Sequence, residues 1–235
     1  MTTATLRVVW ATNADLASIP DDDLSPREIE RASRYRSDLR RQQYTASRAL
    51  LRALLAEHTG RPPDSFELLA DERGKPFCTD GPAVSISHSS DIVTCAVCDA
   101  GDIGIDIEFP RRSRDVEAIA RRYFCREEAE WVSGQPADRF YMLWVLKEAW
   151  LKATGTGIAG GLDKLRCLVA PPRIEALAGS AGRTTFVRIN RPDTAFGRLD
   201  LEEFFLVVRE ITEVRRQTSF IDSVTHELKT PLASL

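Results

Sequence analysis

The sequence predicts a fold of mixed helices and strands, and three observations carry that prediction. Asp102-Ile103-Gly104-Ile105-Asp106-Ile107-Glu108 alternates with period two, as a strand does, stacking three isoleucines on one face and placing Asp106 and Glu108 together on the other. Residues 138–154 read as a long helix, entered after Pro136 and closed by Gly155. Ser25-Pro26-Arg27-Glu28 supplies an N-cap, a proline at the first helical position and a glutamate three residues after the cap, so a helix starts there.

The other elements follow in order. Leu6 to Trp10 reads as an opening strand, and the helix begun at Ser25 runs through Leu54 and Leu55 with a break near Arg36 to Leu39. Gly60 to Pro63 and Asp71 to Pro76 are turn-rich, and short strands follow at Ala83 to Ser87 and Ile92 to Val97. Asp115 to Tyr123 and Arg126 to Val132 read as short helices. The stretch from Leu165 to Val208 is strand-rich, including Thr184 to Ile189 and Phe204 to Val208.

Composition bounds the partners. With 235 residues and 43% hydrophobic content, the chain can bury one large core or two small ones. Its 32 basic and 35 acidic residues give a net charge of -3, no general reason to expect nucleic acid or an anionic membrane. No stretch approaches the roughly 20 apolar residues of a membrane span, and Met1 to Asn13 has no basic head followed by an apolar core, so a cytoplasmic location is expected. The five cysteines are odd in number and unevenly spread, as in a reducing compartment. Cys95 and Cys98 form a CxxC, which without a second pair or a histidine cluster reads as structural rather than as a zinc site.

Three segments carry chemistry. Two acids at i and i+2 on a strand, Asp106 and Glu108, point the same way at a separation that one hard cation can bridge; alone, the pair reads as the solvated face of a half-exposed strand. On the helix, Trp144, Glu148 and Lys152 fall four apart on one stripe, and alone that is a surface ion pair worth a few tenths of a kcal/mol. Ser85-Ile86-Ser87-His88-Ser89, with Lys75 upstream in Gly74-Lys75-Pro76, could supply donors to a phosphate. Spacing alone decides none of the three.

Together these segments resemble the Sfp-type phosphopantetheinyl transferases. The order is theirs: Gly74-Lys75-Pro76, then Ser85 to Ser89, then Gly104-Ile105-Asp106-Ile107-Glu108, then Trp144 through Lys152 with Gly155 after it. The last two blocks are close to the family's paired signatures (V/I)GIDIE and WxxKEAxxKxxG, and the resemblance covers about residues 1 to 200. It implies an α+β fold of two pseudo-symmetric halves, residues 1–108 and 109–204, with the active site between them. It implies transfer of 4'-phosphopantetheine from coenzyme A to a serine of an apo acyl or peptidyl carrier protein, with Mg²⁺ as cofactor and a monomeric enzyme. Asp106, Glu108 and Glu148 would gather the Mg²⁺, Glu148 would take the serine proton, and Lys152 would hold the phosphate. Arg48, Lys75, Ser87 and His88 would bind the 3'-phosphoadenosine end, with Arg31 or Arg34 as a further candidate.

The tail resembles a different family. Phe205 to Arg216 is similar to the end of a PAS sensor domain, and Phe220 to Pro231, with the core His226-Glu227-Leu228-Lys229-Thr230-Pro231, to the phospho-acceptor box of sensor histidine kinases. There, His226 would be phosphorylated and Glu227 would assist proton transfer. Because no ATP-binding domain accompanies it, residues 205–235 read as a kinase-like fragment, helical along Phe220, Val224 and Leu228 and without function here. Two alternatives remain open: a phosphorelay fragment working through His226, and an inactive coenzyme A binding module.

Overall fold

The computed structural model describes residues 4–12, 22–90, 92–99, 101–108, 114–158, 161–169, 172–176, 184–190, 203–209 and 214–217. Helices and largely antiparallel sheets alternate along them, an α+β architecture. The chain divides into two compact units, residues 1–100 with 212–235, and residues 101–211.

In the first unit, helices α1 (Pro26–Ser33) and α2 (Asp38–Thr59) follow strand β1 (Ala4–Thr12). Helix α1 opens with the expected capping box, Ser25 and Glu28 each satisfying the other's backbone N–H. The helical run breaks at residues 34–37, Ser37 caps α2, and Gly60 ends it in the left-handed conformation at φ 75°. Leu50, Leu51, Leu54 and Leu55 lie on one face of α2, fully buried against Val9, Val84, Val93 and Val97 of the sheet. Each contributes about 2 kcal/mol of apolar burial. Strands β2 (Leu68–Ala70) and β3 (Pro76–Cys78) form a hairpin; β4 (Ala83–Ser89) and β5 (Ile92–Cys98) form another. Strand β5 pairs antiparallel with β1, and β11 (Val214–Gln217) adds parallel to the other edge of β1, giving the order β11-β1-β5-β4.

The second unit is built around one helix. Strand β6 (Ile103–Ile107) precedes α3 (Val116–Tyr123), α4 (Arg126–Val132) and α5 (Asp138–Thr154). Strands β7 (Leu165–Val169) and β8 (Pro172–Ala176) make a two-stranded ribbon, while β9 (Thr184–Asn190) and β10 (Glu203–Arg209) join β6 in the order β6-β10-β9. Helix α5 buries residues on every side, Phe140, Leu143, Val145, Leu146, Ala149 and Trp150 among them, which makes it the core of its unit.

Two sequence expectations change here. The first half was expected to close after Glu108, but β6 takes its backbone hydrogen bonds from β10, with Asp106 opposite Phe205, and so lies in the second unit. Residues 205–235 were expected as a largely helical fragment, but 214–217 form β11, held extended by pairing with β1, while 205–209 lie in β10, in keeping with the strand read at Phe204 to Val208. Phe220, Val224, His226, Glu227 and Leu228 lie outside the described residues. No helix among the described residues is long and apolar enough to cross a membrane.

Candidate active site

The close approach of β6 to α5 creates the acidic site. Gly104 makes it possible: a Cβ there would stand 1.9 Å from the Ala149 carbonyl oxygen and 2.5 Å from the Ala153 nitrogen. A bare glycine facing two alanines lets the strand backbone rest directly on the helix backbone. Two residues further along the same face of β6, Asp106 reaches α5 and is only 5% exposed. The Lys152 ammonium donates to Asp106 Oδ1 at 2.6 Å and to the Ile105 carbonyl at 3.1 Å. Asp106 therefore does not sit on a solvated strand face.

Glu148, one turn before Lys152, completes the acidic group. Its Oε1 is buried with no hydrogen-bond partner. Burial pushes its carboxyl up to about 7, the Asp106 charge and more weakly Glu108 add to the rise, and Lys152 opposes it. Glu108 faces the Arg114 guanidinium, 3.7 Å from Oε1, and Arg114 in turn lies over the Trp144 ring at 5.8 Å. Trp144 also stacks on Phe140 at 5.5 Å between centroids. Lys152 and Arg114 thus face Asp106 and Glu108, while burial and the charges of those two acids raise the Glu148 carboxyl.

Among the described residues no three His, Cys, Asp or Glu side chains stand together as a ready metal cage; Lys152 engages Asp106 and Arg114 faces Glu108. The donor chemistry nevertheless suits a hard divalent cation: three carboxylates with mutual repulsion to relieve, and a buried Glu148 oxygen lacking a donor.

The sequence did not single out Lys147, although it precedes Glu148 in the same motif. It is fully buried, paired with Glu128 Oε2 at 2.8 Å, and donates to the carbonyls of Leu162 and Leu165. Glu128 Oε1 accepts from the Cys167 N–H at 2.6 Å. Lys147 ties α5 to α4 and β7, so of the motif's two lysines one is internal bracing and the other reaches the acids. Arg114 was likewise missed, because no motif marks it.

The four residues expected to bind an anion lie at three places in the first unit. Arg48 is on the buried face of α2. Lys75 follows a tight turn in which Asp71 Oδ1 accepts from the Arg73 and Lys75 N–H groups and Gly74 adopts φ 87°. Ser87 and His88 are both within β4, the first buried and the second exposed, so the strand's alternation sends them to opposite faces. The hairpin tip just beyond is held by Gln43, whose side-chain amide donates to the Ser90 carbonyl at 2.8 Å, with Ser90 at φ 53°. The CxxC of β5 is buried, and Cys95 donates weakly to the Ser47 carbonyl at 3.5 Å.

Comparison with known protein families identifies the class to which this fold belongs. The 4'-phosphopantetheinyl transferase superfamily matches residues 102–193, and the 4'-phosphopantetheinyl transferase N-terminal domain matches residues 30–98. The chain is 36% identical over 157 residues to the 4'-phosphopantetheinyl transferase HetI of Nostoc sp., covering 63% of this chain and 66% of that one. It is 30% identical over 167 residues to a Synechocystis sp. protein provisionally given the same transferase name, covering 67% and 68%. A third relative, 4'-phosphopantetheinyl transferase psf-1 of Bacillus pumilus, is 35% identical over 139 residues, 56% of this chain and 58% of its own. The matched stretch thus spans about two thirds or less of these relatives' lengths. The chain belongs to the 4'-phosphopantetheinyl transferase family.

Proposed function

We propose that this chain transfers the 4'-phosphopantetheine group of coenzyme A to a serine of an apo acyl or peptidyl carrier protein, releasing 3',5'-ADP and using Mg²⁺. The observation that supports this most is the buried acidic group on β6 and α5, where Asp106, Lys152 and Glu148 meet inside one unit. Asp106, Glu108 and Glu148 would hold the Mg²⁺, which when bound would neutralise charge on the diphosphate.

The protein's own groups divide the remaining work. Serine is a weak nucleophile, and the phosphorus of a diphosphate is shielded by anionic oxygens, so positioning and charge compensation supply most of the rate. Glu148, whose carboxyl burial raises in the metal-free site, would accept the serine proton, directly or through one water. As the serine oxygen bonds to phosphorus, the bond from phosphorus to the bridging oxygen breaks, and the electron pair leaves with 3',5'-ADP. The Lys152 ammonium would donate to that developing charge. No enzyme-bound intermediate is required, so no nucleophilic cysteine or triad need be present. Arg48, Lys75, Ser87 and His88 would hold the 3'-phosphoadenosine end by charge-assisted hydrogen bonds.

The test is to incubate the chain with coenzyme A, Mg²⁺ and an apo carrier protein and weigh the carrier. The expected result is the gain of one phosphopantetheine, abolished by Asp106→Ala and by Glu148→Gln. A carrier whose mass stays unchanged with the wild-type chain would overturn the proposal.

A further inference from the structure

Helices α1 and α2 bury three charged side chains in one knot: Glu28, Arg48 and Arg52 are 3%, 7% and 1% exposed. Buried charges persist only when paired, yet these two guanidinium groups are paired very unequally. Arg52 is saturated. Its Nε and Nη2 donate to Glu28 Oε2 at 3.2 and 2.7 Å, and its Nη1 donates to the carbonyls of Pro63 and Phe66 at 2.9 and 3.0 Å. Arg48, one turn earlier on the same helix face, has Glu28 Oε1 at 4.0 Å from its Nε, beyond hydrogen-bond length. Its Nε and Nη1 are buried with no hydrogen-bond partner. Arg52 is a strut between α1, α2 and the turn after α2, whereas Arg48 holds two buried donors that no acceptor of the chain satisfies.

Glu28 produces that difference. Its Oε2 accepts from the Ser25 N–H and hydroxyl at 2.9 and 2.8 Å as well as from Arg52, so the capping box fixes the carboxylate. Its Oε1 is buried with no hydrogen-bond partner and faces Arg48. A charge at that distance holds a guanidinium in place without consuming its N–H groups. On the other side the Tyr44 ring lies 5.4 Å from the Arg48 guanidinium and 5.7 Å from that of Arg31, restricting the plane Arg48 can adopt.

We propose that Glu28 is a positioning residue for substrate: it orients Arg48 for the 3'-phosphate of coenzyme A, and Ser25 in turn orients Glu28. This rests on the reading of Arg48 as a coenzyme A ligand.

The experiment measures the affinity of the full chain for coenzyme A and for 3'-dephospho-coenzyme A by calorimetry, with melting curves confirming the fold. The ratio of the two affinities isolates the 3'-phosphate contact; a general structural defect weakens both ligands and leaves the ratio unchanged. Arg48→Ala should reduce the preference for coenzyme A about tenfold, the size of one charge-assisted hydrogen bond. Glu28→Gln keeps an oxygen for Ser25 and Arg52 but removes the charge facing Arg48, and should reduce the preference about fivefold. Ser25→Ala, which removes one bond to the carboxylate and carries the test if Glu28→Gln does not fold, should reduce it about twofold. An unchanged ratio in Arg48→Ala would remove the reading of Arg48 and the inference with it. A reduced ratio in Arg48→Ala alongside an unchanged or increased ratio in Glu28→Gln, or in Ser25→Ala if that variant stands in, would overturn the role of Glu28 alone.

Discussion

Gly104 shows what a single residue does for this site. Its missing side chain sets the spacing between β6 and α5, and that spacing brings Asp106 to Lys152. Gly104→Ala must push backbone against backbone, and neither element can yield through a flexible side chain. The expected cost is roughly 3 kcal/mol of stability, at the upper end for overpacking, with transfer activity falling because Asp106 moves away from Lys152. Thermal melting together with the carrier-mass assay checks this, and a variant that melts and reacts like the wild type would show the contact to be slack. The acids were legible in the sequence because period two and a spacing of four fix their faces. Arg114 was not, since its place beside Glu108 and Trp144 depends on a chain path that no local pattern encodes. The same spacing of four marked Lys152, whereas nothing local showed that Lys147 is buried against Glu128.

At the scale of elements, local chemistry wrote the helices and long-range pairing wrote the strands. The capping box at Ser25, the break at residues 34–37 and the glycine closing α5 are encoded within a few residues of where they act. The partner of β6 is about a hundred residues further along the chain, so the sequence pattern showed the strand but not its company. Strand β11 carries no apolar alternation, and its extended form comes from β1 alongside it. One junction between elements is sensitive to pH. The ring of His58, in the last turn of α2, meets the carboxylate of Asp99 just after β5, and Asp99 also accepts from the Thr5 N–H at 3.2 Å. Burial alone would push the Asp99 carboxyl up, but the hydrogen bonds and charge of His58, with Thr5, hold it below the ordinary carboxylate range. A depressed folded-state pKa means the junction stabilises fully above about pH 4 and loses its contribution as pH falls further. The melting temperature of the wild type should therefore exceed that of Asp99→Asn near neutrality and converge on it in acid. A gap that stays constant down to pH 3 would show that the ionised carboxylate contributes nothing there.

For the molecule as a whole, the family's two matched regions, residues 30–98 and 102–193, fall one on each compact unit. Each unit builds its core on one long helix packed against a sheet, α2 in the first and α5 in the second. The residues proposed for the adenosine end of coenzyme A belong to the first unit and the acids to the second. The account depends on those acids acting as one site for a divalent cation. Manganese binding followed by electron paramagnetic resonance, with coenzyme A present, tests this most directly because Mn²⁺ takes the same oxygen donors as Mg²⁺. The account predicts one bound Mn²⁺ per wild-type chain, lost in both Asp106→Ala and Glu148→Gln while each variant stays folded; undiminished binding in folded variants would contradict it.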